Sequence, residues 1–295
     1  MMQRFFFAAC TPLFLTWLVA WCLALAFAGG PQEQALTGLQ GLVTLIFVLC
    51  HSVAAYGVRG ALVFLLIAFT VAMAMEISSV ATGFPFGFYS HVNGTGPMIG
   101  GVPVTVGLGY VMLGYLAWRL ALPLTRHEAG VARPFSFVTT PLVGAFILAG
   151  YDLAFDAIGS TVQGLYAYRH PGGYFGVPVS NFMGWVLTGW LMMQVFALVE
   201  RRFERGRLIG DQQFWLLPCA IWALTALQYP FKFLQAPPGS VTLGARTFLV
   251  ADVYETAAIC AILTMLPAAL MSASRVVGGF LPAAVAPRAG QTKRP

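Results

Sequence analysis

Long runs of apolar residues alternate with short polar or glycine-rich breaks along the whole chain. Each run has about 20 residues, the length at which an α-helix crosses the hydrocarbon core of a bilayer. Barrel strands would instead alternate apolar and polar positions. The pattern predicts an all-α polytopic membrane protein of about eight transmembrane helices, at roughly 5–28, 35–56, 60–80, 104–124, 135–158, 179–202, 212–231 and 243–273.

We expect one transmembrane helical domain over residues 1–273 and a disordered cytoplasmic tail over 274–295. The first run ends in A-F-A before Gly29, as in a cleavable signal peptide, but its 24 residues (5–28) favour a retained helix.

Composition agrees with a membrane protein and excludes a soluble domain. Of the 295 residues, 59% are hydrophobic and 9% are charged, whereas soluble domains carry about 25% charged residues. The five cysteines all lie in apolar runs without a CxxC pair, which is typical of packing residues.

The net charge of +6 indicates topology rather than nucleic-acid binding. With eight spans, 13 of the 16 basic residues fall on the side of the N-terminus, and Arg169, Lys232 and Arg246 fall on the other. The positive-inside rule then predicts an inner-membrane protein with both termini in the cytoplasm. No nucleic-acid-binding motif accompanies the charge.

An internal parallel repeat is predicted over spans 3–4 and 5–6. An offset of 75 residues pairs G-V-P-V at 101–104 with G-V-P-V at 176–179, and it also pairs Tyr110 with Trp185. Upstream, small gaps pair G-F-Y at 87–89 with G-L-Y at 164–166. Because duplicated membrane folds commonly hold their site at the repeat interface, we expect the site between spans three and six.

Acidic residues inside the predicted spans are the strongest candidates for chemistry. Each costs about 2.5–3.5 kcal/mol at mid-helix, yet the spans contain Glu76, Asp152, Asp156, Asp252 and Glu255. Asp152 and Asp156 share a helical face, as do Asp252 and Glu255.

Glu76, Asp152 and Asp156 are predicted near the outer leaflet, where basic residues are too few to neutralise all three. At least one is therefore expected to keep its proton and to act as a proton donor. Asp252 and Glu255 are either a second acid pair or ion-pair partners of Arg246 and Lys232.

Aromatic residues crowd the same level. They form either an interfacial belt or an apolar slot whose ring faces stabilise a cation. This group comprises Phe84, Phe86, Tyr89, Tyr166, Tyr168, Tyr174, Phe175 and Trp185. Neither HxxxH nor Cys/His ligand spacing occurs, so the sequence predicts no metal site.

These motifs resemble the carotenoid-biosynthesis membrane proteins, the family that includes γ-carotene hydratase and bisanhydrobacterioruberin hydratase. The resemblance covers about residues 40–270. It rests on Glu76, T-G-F-P-F-G-F-Y (82–89), G-V-P-V (101–104), Asp152, G-G-Y-F-G-V-P-V (172–179) and N-F-M-G-W (181–185). Departures from the family pattern are Gly109-Tyr110 in place of a Trp-containing motif and Asp152 without a following Pro.

The resemblance implies a hydratase without a cofactor that adds water to the terminal double bond of an acyclic, membrane-dissolved carotenoid. The proton donor is then Asp152 or Glu76, and Asp156 is the base. Asn181 is expected to orient the water, and the substrate is expected to contact Phe86, Tyr89, Tyr166, Tyr174 and Trp185. Other enzymes of the carotenoid pathway are candidate partners, beside the lipid bilayer itself.

Two other readings stay open at this point. Asp152 and Asp156 form a single DxxxD, the type of motif through which intramembrane prenyltransferases bind Mg²⁺-diphosphate, so another polyprenyl-modifying enzyme or a cyclase is one alternative. A small-molecule or proton-coupled transporter is the other, since intramembrane acids can relay protons. A transporter of this type would have inverted repeats, whereas this repeat is parallel.

Overall fold

The computed structural model describes residues 2–93, 96–126, 135–203 and 210–281. Within these ranges the chain is mostly helical, with three short two-stranded sheets in the connections. The helices are α1 (Met2–Ala26), α2 (Glu33–Thr82), α3 (Val104–Thr125), α4 (Ser136–Asp156), α5 (Val179–Val199), α6 (Gln212–Leu234), α7 (Val250–Cys260) and α8 (Leu266–Arg275). The strands are β1 (Tyr89–His91), β2 (Met98–Ile99), β3 (Val102–Pro103), β4 (Tyr166–Tyr168), β5 (Ser240–Leu243) and β6 (Arg246–Leu249).

Seven helical segments of the described chain are long and apolar enough to cross a membrane. The predicted all-α polytopic architecture is thus confirmed. The second segment, α2, has 50 residues and contains both predicted spans 35–56 and 60–80. It is interrupted at Gly57, whose φ of 71° lies in the left-handed region that glycine tolerates.

Packing against α3 shows that α2 changes direction at this break. His51 contacts the hydroxyl of Tyr115, and Tyr56 accepts a hydrogen bond from Trp118 further along α3. Beyond the break, the ring of Phe64 returns to Tyr115. The count of eight membrane crossings and the internal repeat stay predictions.

The last long helical segment begins at Val250 rather than at the predicted residue 243. The preceding residues form the antiparallel hairpin β5–β6, in which Leu243 pairs with Arg246 across a two-residue turn. Gly244 has a φ of 60° in that turn, which is typical of a tight hairpin. The strand therefore interrupts the apolar run that had suggested a longer helix.

At its C-terminal end the same segment continues through α8 to a π-helical turn that ends at Phe280. The remainder of the expected tail, 282–295, lies outside the described residues. So do the loops 127–134 and 204–209, which carry part of the predicted cytoplasmic charge.

Four helical segments form the group that positions the site: the second half of α2, α3, α4 and α5. Both α3 and α5 pack against α2 and against α4, so α2 and α4 face each other across the group. The described residues of the loops 81–103 and 159–178 lie at one end of this group, where β1 and β4 pair. We call this the lid end, and the β1–β4 pair the lid.

Candidate active site

Three buried carboxyl groups converge at the lid end. Glu76 lies near the end of α2, and Asp152 and Asp156 lie in the last turns of α4. Their exposed fractions are 5%, 0% and 3%. The spacing of four residues places both aspartates on one face of α4, as the sequence predicted.

Asn181, in the first turn of α5, joins the two aspartates. Its Nδ2 donates to Asp152 Oδ2 at 2.8 Å and to Asp156 Oδ2 at 2.7 Å. The two carboxylate oxygens therefore lie no more than 5.5 Å apart, which is the two distances laid end to end. One amide group uses both of its hydrogens to hold two carboxyl groups together.

Tyrosine hydroxyls from the lid complete the contacts of the acids. Tyr166 donates to Asp156 Oδ1, and Tyr168 donates to Asp156 Oδ2 at 2.9 Å. Tyr89 donates to Glu76 Oε2. Glu76 and Asp156 thus each have tyrosine partners from the loop that follows their own helix.

Alternation along the lid explains why these tyrosines point inward. Tyr89 pairs with Tyr168 and His91 pairs with Tyr166 in the antiparallel register. Successive strand residues face opposite sides, and Ser90 between the inward residues of β1 is exposed. The inner face of the lid therefore presents three tyrosines and one histidine to the acids.

A cavity of about 300 Å³ lies beneath the lid between α2, α3, α4 and α5. Its wall is largely aromatic, and the rings of Tyr110 and Trp185 stack in it with centroids 4.3 Å apart. The lining residues are Glu76, Phe86, Tyr89, His91, Asn93, Pro103, Thr105, Val106, Gly109, Tyr110, Leu113, Tyr151, Phe155, Asp156, Leu165, Tyr166, Tyr168, Asn181 and Trp185.

Basic side chains of the described chain stay away from the three acids. The ion pair found there joins Arg126 and Glu200, and none of the three carboxyl groups lies within 4.0 Å of a basic nitrogen. On the lid side, Arg169 lies over the ring of Phe88, and Arg246 donates to backbone carbonyls of the loop after β4. The acids are therefore held by neutral donors.

The structure brings most of the predicted site residues together. The cavity wall includes Glu76, Phe86, Tyr89, Asp156, Tyr166, Asn181 and Trp185. Asp152 lies behind that wall, where it contacts Asn181.

Three predicted residues lie elsewhere. The hydroxyl of Tyr174 donates to Leu153 O at 2.8 Å, so it packs on the backbone of α4 and does not line the cavity. Asp252 and Glu255 are exposed on the first turns of α7. No ion pair of either with Arg246 or Lys232 is present in the described chain.

The cavity also contains residues that were not among the predicted site residues. The predicted repeat pairs Tyr110 with Trp185, and that pairing is the signal in the sequence that could place Tyr110 in the wall. Tyr151 and Phe155 each precede an aspartate of α4 by one residue, and they stack with centroids 5.6 Å apart. They form a neighbouring stripe on the same helix, which gives the cavity a second aromatic wall.

His91 is the histidine of the lid. Its Nε2 is buried without a hydrogen-bond partner among the residues the structure describes. Burial lowers the pKa of His91 below its usual range, which favours the neutral imidazole. The other loop histidine, His170, is exposed. No cluster of three or more His, Cys, Asp or Glu residues that could hold a metal ion occurs in the described ranges.

Long apolar helices around buried acids define a polytopic helical membrane protein with a polar site near one end. Residues 36–250 match the family described as "Carotenoid biosynthesis protein", so the chain belongs to this family. It is also 29% identical over 145 residues to bisanhydrobacterioruberin hydratase of Haloarcula japonica, an alignment that covers 48% of this chain. That match spans 46% of the relative, less than half of its length. No solved structure matches the chain.

Proposed function

We propose that this protein is a membrane carotenoid hydratase that adds water to the terminal C=C bond of an acyclic carotenoid end and leaves a tertiary hydroxyl. One observation carries the proposal: Glu76 and Asp156 line a single aromatic cavity and are held by tyrosine hydroxyls. Membership of the carotenoid family and the similarity to a hydratase support the same reaction class.

Glu76 is suited to deliver the proton. It lines the cavity, its side chain is buried, and Tyr89 fixes one of its oxygens. In the first step the π electrons of the terminal double bond take the carboxyl proton. A C–H bond forms, and a tertiary carbocation and a carboxylate remain.

Aromatic ring faces are suited to stabilise the cation. The faces of Trp and Tyr attract a cation by about 0.5–2 kcal/mol, more when water is excluded. Tyr110, Trp185 and Phe86 supply such surfaces within the same cavity. Ring faces in this cavity would therefore stabilise a carbocation rather than a carbanion.

Asp156 is suited to act as the base. It receives hydrogen bonds from Tyr166, Tyr168 and Asn181, which keep both of its oxygens in place at the cavity wall. Water forms the C–O bond with the cation, and its proton passes to Asp156. Return of that proton to Glu76 through cavity water restores the starting state.

Asp152 is a positioning residue in this scheme. It does not line the cavity. Its carboxyl group lies beside that of Asp156, and the amide of Asn181 donates a hydrogen bond to both. A second carboxyl group at this distance can share a proton with the first, so the pair would titrate as a unit.

The reactants would arrive from different directions. The apolar substrate would enter from the bilayer, and water would reach the site from the lid end, which the charge distribution predicts to be the outer face. With this orientation both termini lie in the cytoplasm, and enzymes that make or consume the carotenoid are expected neighbours in the inner membrane.

Expression in cells that make lycopene or γ-carotene tests the function. We expect a product heavier by one water, and growth in H₂¹⁸O should place ¹⁸O in its hydroxyl group. The Asp156→Asn variant at equal protein level serves as the inactive control.

Other outcomes would point to other functions. A new carotenoid of unchanged mass would indicate cyclisation, and ¹⁸O taken from labelled O₂ would indicate an oxygenase. Absence of any new carotenoid, despite good expression in lycopene-producing and in γ-carotene-producing cells, would contradict hydration of these substrates.

A further inference from the structure

One face of α3 lines the cavity and is also exposed at the outside of the helical bundle. Thr105, Gly109 and Leu113 lie four residues apart, hence on one helical face, and all three line the cavity. Thr105 is exposed, and the other two are partly exposed. At about 1.5 Å per residue this face is roughly 12 Å long, so it marks a slot that runs down the helix from the lid end.

Gly109 leaves this slot open at its centre. A Cβ atom added at Gly109 would have no atom within 4 Å. The glycines on the packed faces of α3 are different. A Cβ at Gly107 would lie 2.7 Å from the ring of Phe69, and one at Gly114 would lie 2.3 Å from Met192 Cε. Close packing therefore explains those two glycines, and it does not explain Gly109.

The cavity is too small for a whole carotenoid. Its volume is about 300 Å³, and a dry cavity of about 150 Å³ holds one benzene molecule. By this measure the cavity accommodates on the order of twelve carbon atoms, which is only part of a carotenoid chain. Most of the chain must then stay outside while its end reacts.

We propose that the cavity takes only the last two or three isoprene units of the substrate and that the polyene leaves over Gly109 through the slot of α3 into the bilayer. Tyr151 and Phe155 of α4, which packs beside α3, also line the cavity and would flank the chain there. The protein thus recognises the acyclic end of its substrate and not the length or far end of the chain. This inference rests on the proposed function, because it places the same reacting end beside Glu76 and Asp156.

Filling the slot tests the proposal. In the series Gly109→Ala, Gly109→Val and Gly109→Leu, conversion of lycopene should fall with side-chain size, by roughly tenfold or more at leucine. A short acyclic isoprenoid hydrocarbon with the same end and about fifteen carbons fits largely inside the cavity, and its conversion should fall much less. The matched control is Gly41→Leu in α2. This glycine is also helical and also has no atom within 4 Å of an added Cβ, but it does not line the cavity.

Copurification of lycopene with the protein in mild detergent, measured by visible absorbance, separates binding from turnover. We expect wild type and Gly41→Leu to retain lycopene and Gly109→Leu to lose most of it. Equal losses for the long and the short substrate, or lycopene retention by Gly109→Leu like that of wild type, would overturn the slot. Wild-type protein that retains lycopene at a Gly109-dependent site without hydrating it would overturn the proposed function and leave the slot standing.

Discussion

Tyr110 stacks on Trp185 with ring centroids 4.3 Å apart and an angle of 18° between the ring planes. The two residues come from α3 and α5, and the predicted repeat aligns them with each other. Pro103 and Pro178, which the same offset aligns, each precede the first turn of these helices. Both helices therefore follow a proline, and they meet through these two aromatic residues in the wall of the cavity.

Removal of either cavity carboxyl group should abolish hydration. Glu76→Gln and Asp156→Asn keep the side-chain shape but lose the proton donor or the base, and we expect product formation to fall by about 10²–10⁴-fold. Product per amount of folded protein measures this.

The exposed acids of α7 provide the matched controls for these variants. Asp252→Asn and Glu255→Gln make the same chemical changes outside the cavity, so activity should stay close to wild type. Activity of Glu76→Gln within a few-fold of wild type would contradict its role as proton donor.

Loss of the amide at position 181 should destabilise the protein. Asn181→Leu has a similar volume but leaves two neighbouring carboxyl groups without their shared donor, at a cost of about 1–3 kcal/mol. Thermal denaturation in detergent measures the effect.

The double variant Asn181→Leu, Asp156→Asn should recover part of that loss, because one of the two carboxyl groups is removed. A single variant Asn181→Leu as stable as wild type would show that the bridging amide contributes little.

His91 should make stability depend on pH on the acidic side. Because burial lowers its pKa, the unfolded chain binds more protons than the folded protein near pH 6. The contribution of neutral His91 to the free energy of unfolding is complete above the usual histidine pKa of 6.5, and it is lost as the pH falls below that value. Melting temperatures at about pH 7.5 and about pH 5.5 should therefore differ less in His91→Gln than in wild type. Identical pH profiles for wild type and His91→Gln would refute the prediction.

Gly184 should tolerate no side chain. A Cβ there would lie 2.4 Å from the ring of Phe86, which is buried and held through its backbone N–H by Ser79 Oγ. We expect Gly184→Ala to lower stability by about 1–3 kcal/mol and to reduce activity, since Phe86 lines the cavity. Gly41→Ala, in open space on α2, should be neutral or slightly stabilising. Equal melting temperatures for the two variants would contradict the close contact.

The helices and the acids were predictable because their signals are local and energetically strong. Apolar runs indicate α3 to α6 to within a few residues, and the cost of burying charge indicates Glu76, Asp152 and Asp156. The same argument also selected Asp252 and Glu255, which are exposed outside the cavity. Hairpin β5–β6 was missed because its apolar residues Leu243, Phe248 and Leu249 run directly into the apolar helix that follows.

The partners of the acids were harder to assign. The tyrosines that bond to Asp156 lie on a strand whose register depends on pairing with β1, which is distant in sequence. Tyr174 lies in the same loop as Tyr166, yet its hydroxyl donates to Leu153 O and its ring does not line the cavity. Composition predicts many aromatic rings at this level of the membrane. Which of their hydroxyl groups bond to a carboxyl group depends on the tertiary fold.

The strand pair β1–β4 both covers the cavity and carries the hydroxyl groups that hold its acids. An outward swing of this pair would withdraw Tyr89 from Glu76 and Tyr166 from Asp156 in the same movement. Opening of the lid would therefore admit water to the cavity and remove these hydrogen bonds from both carboxyl groups at once.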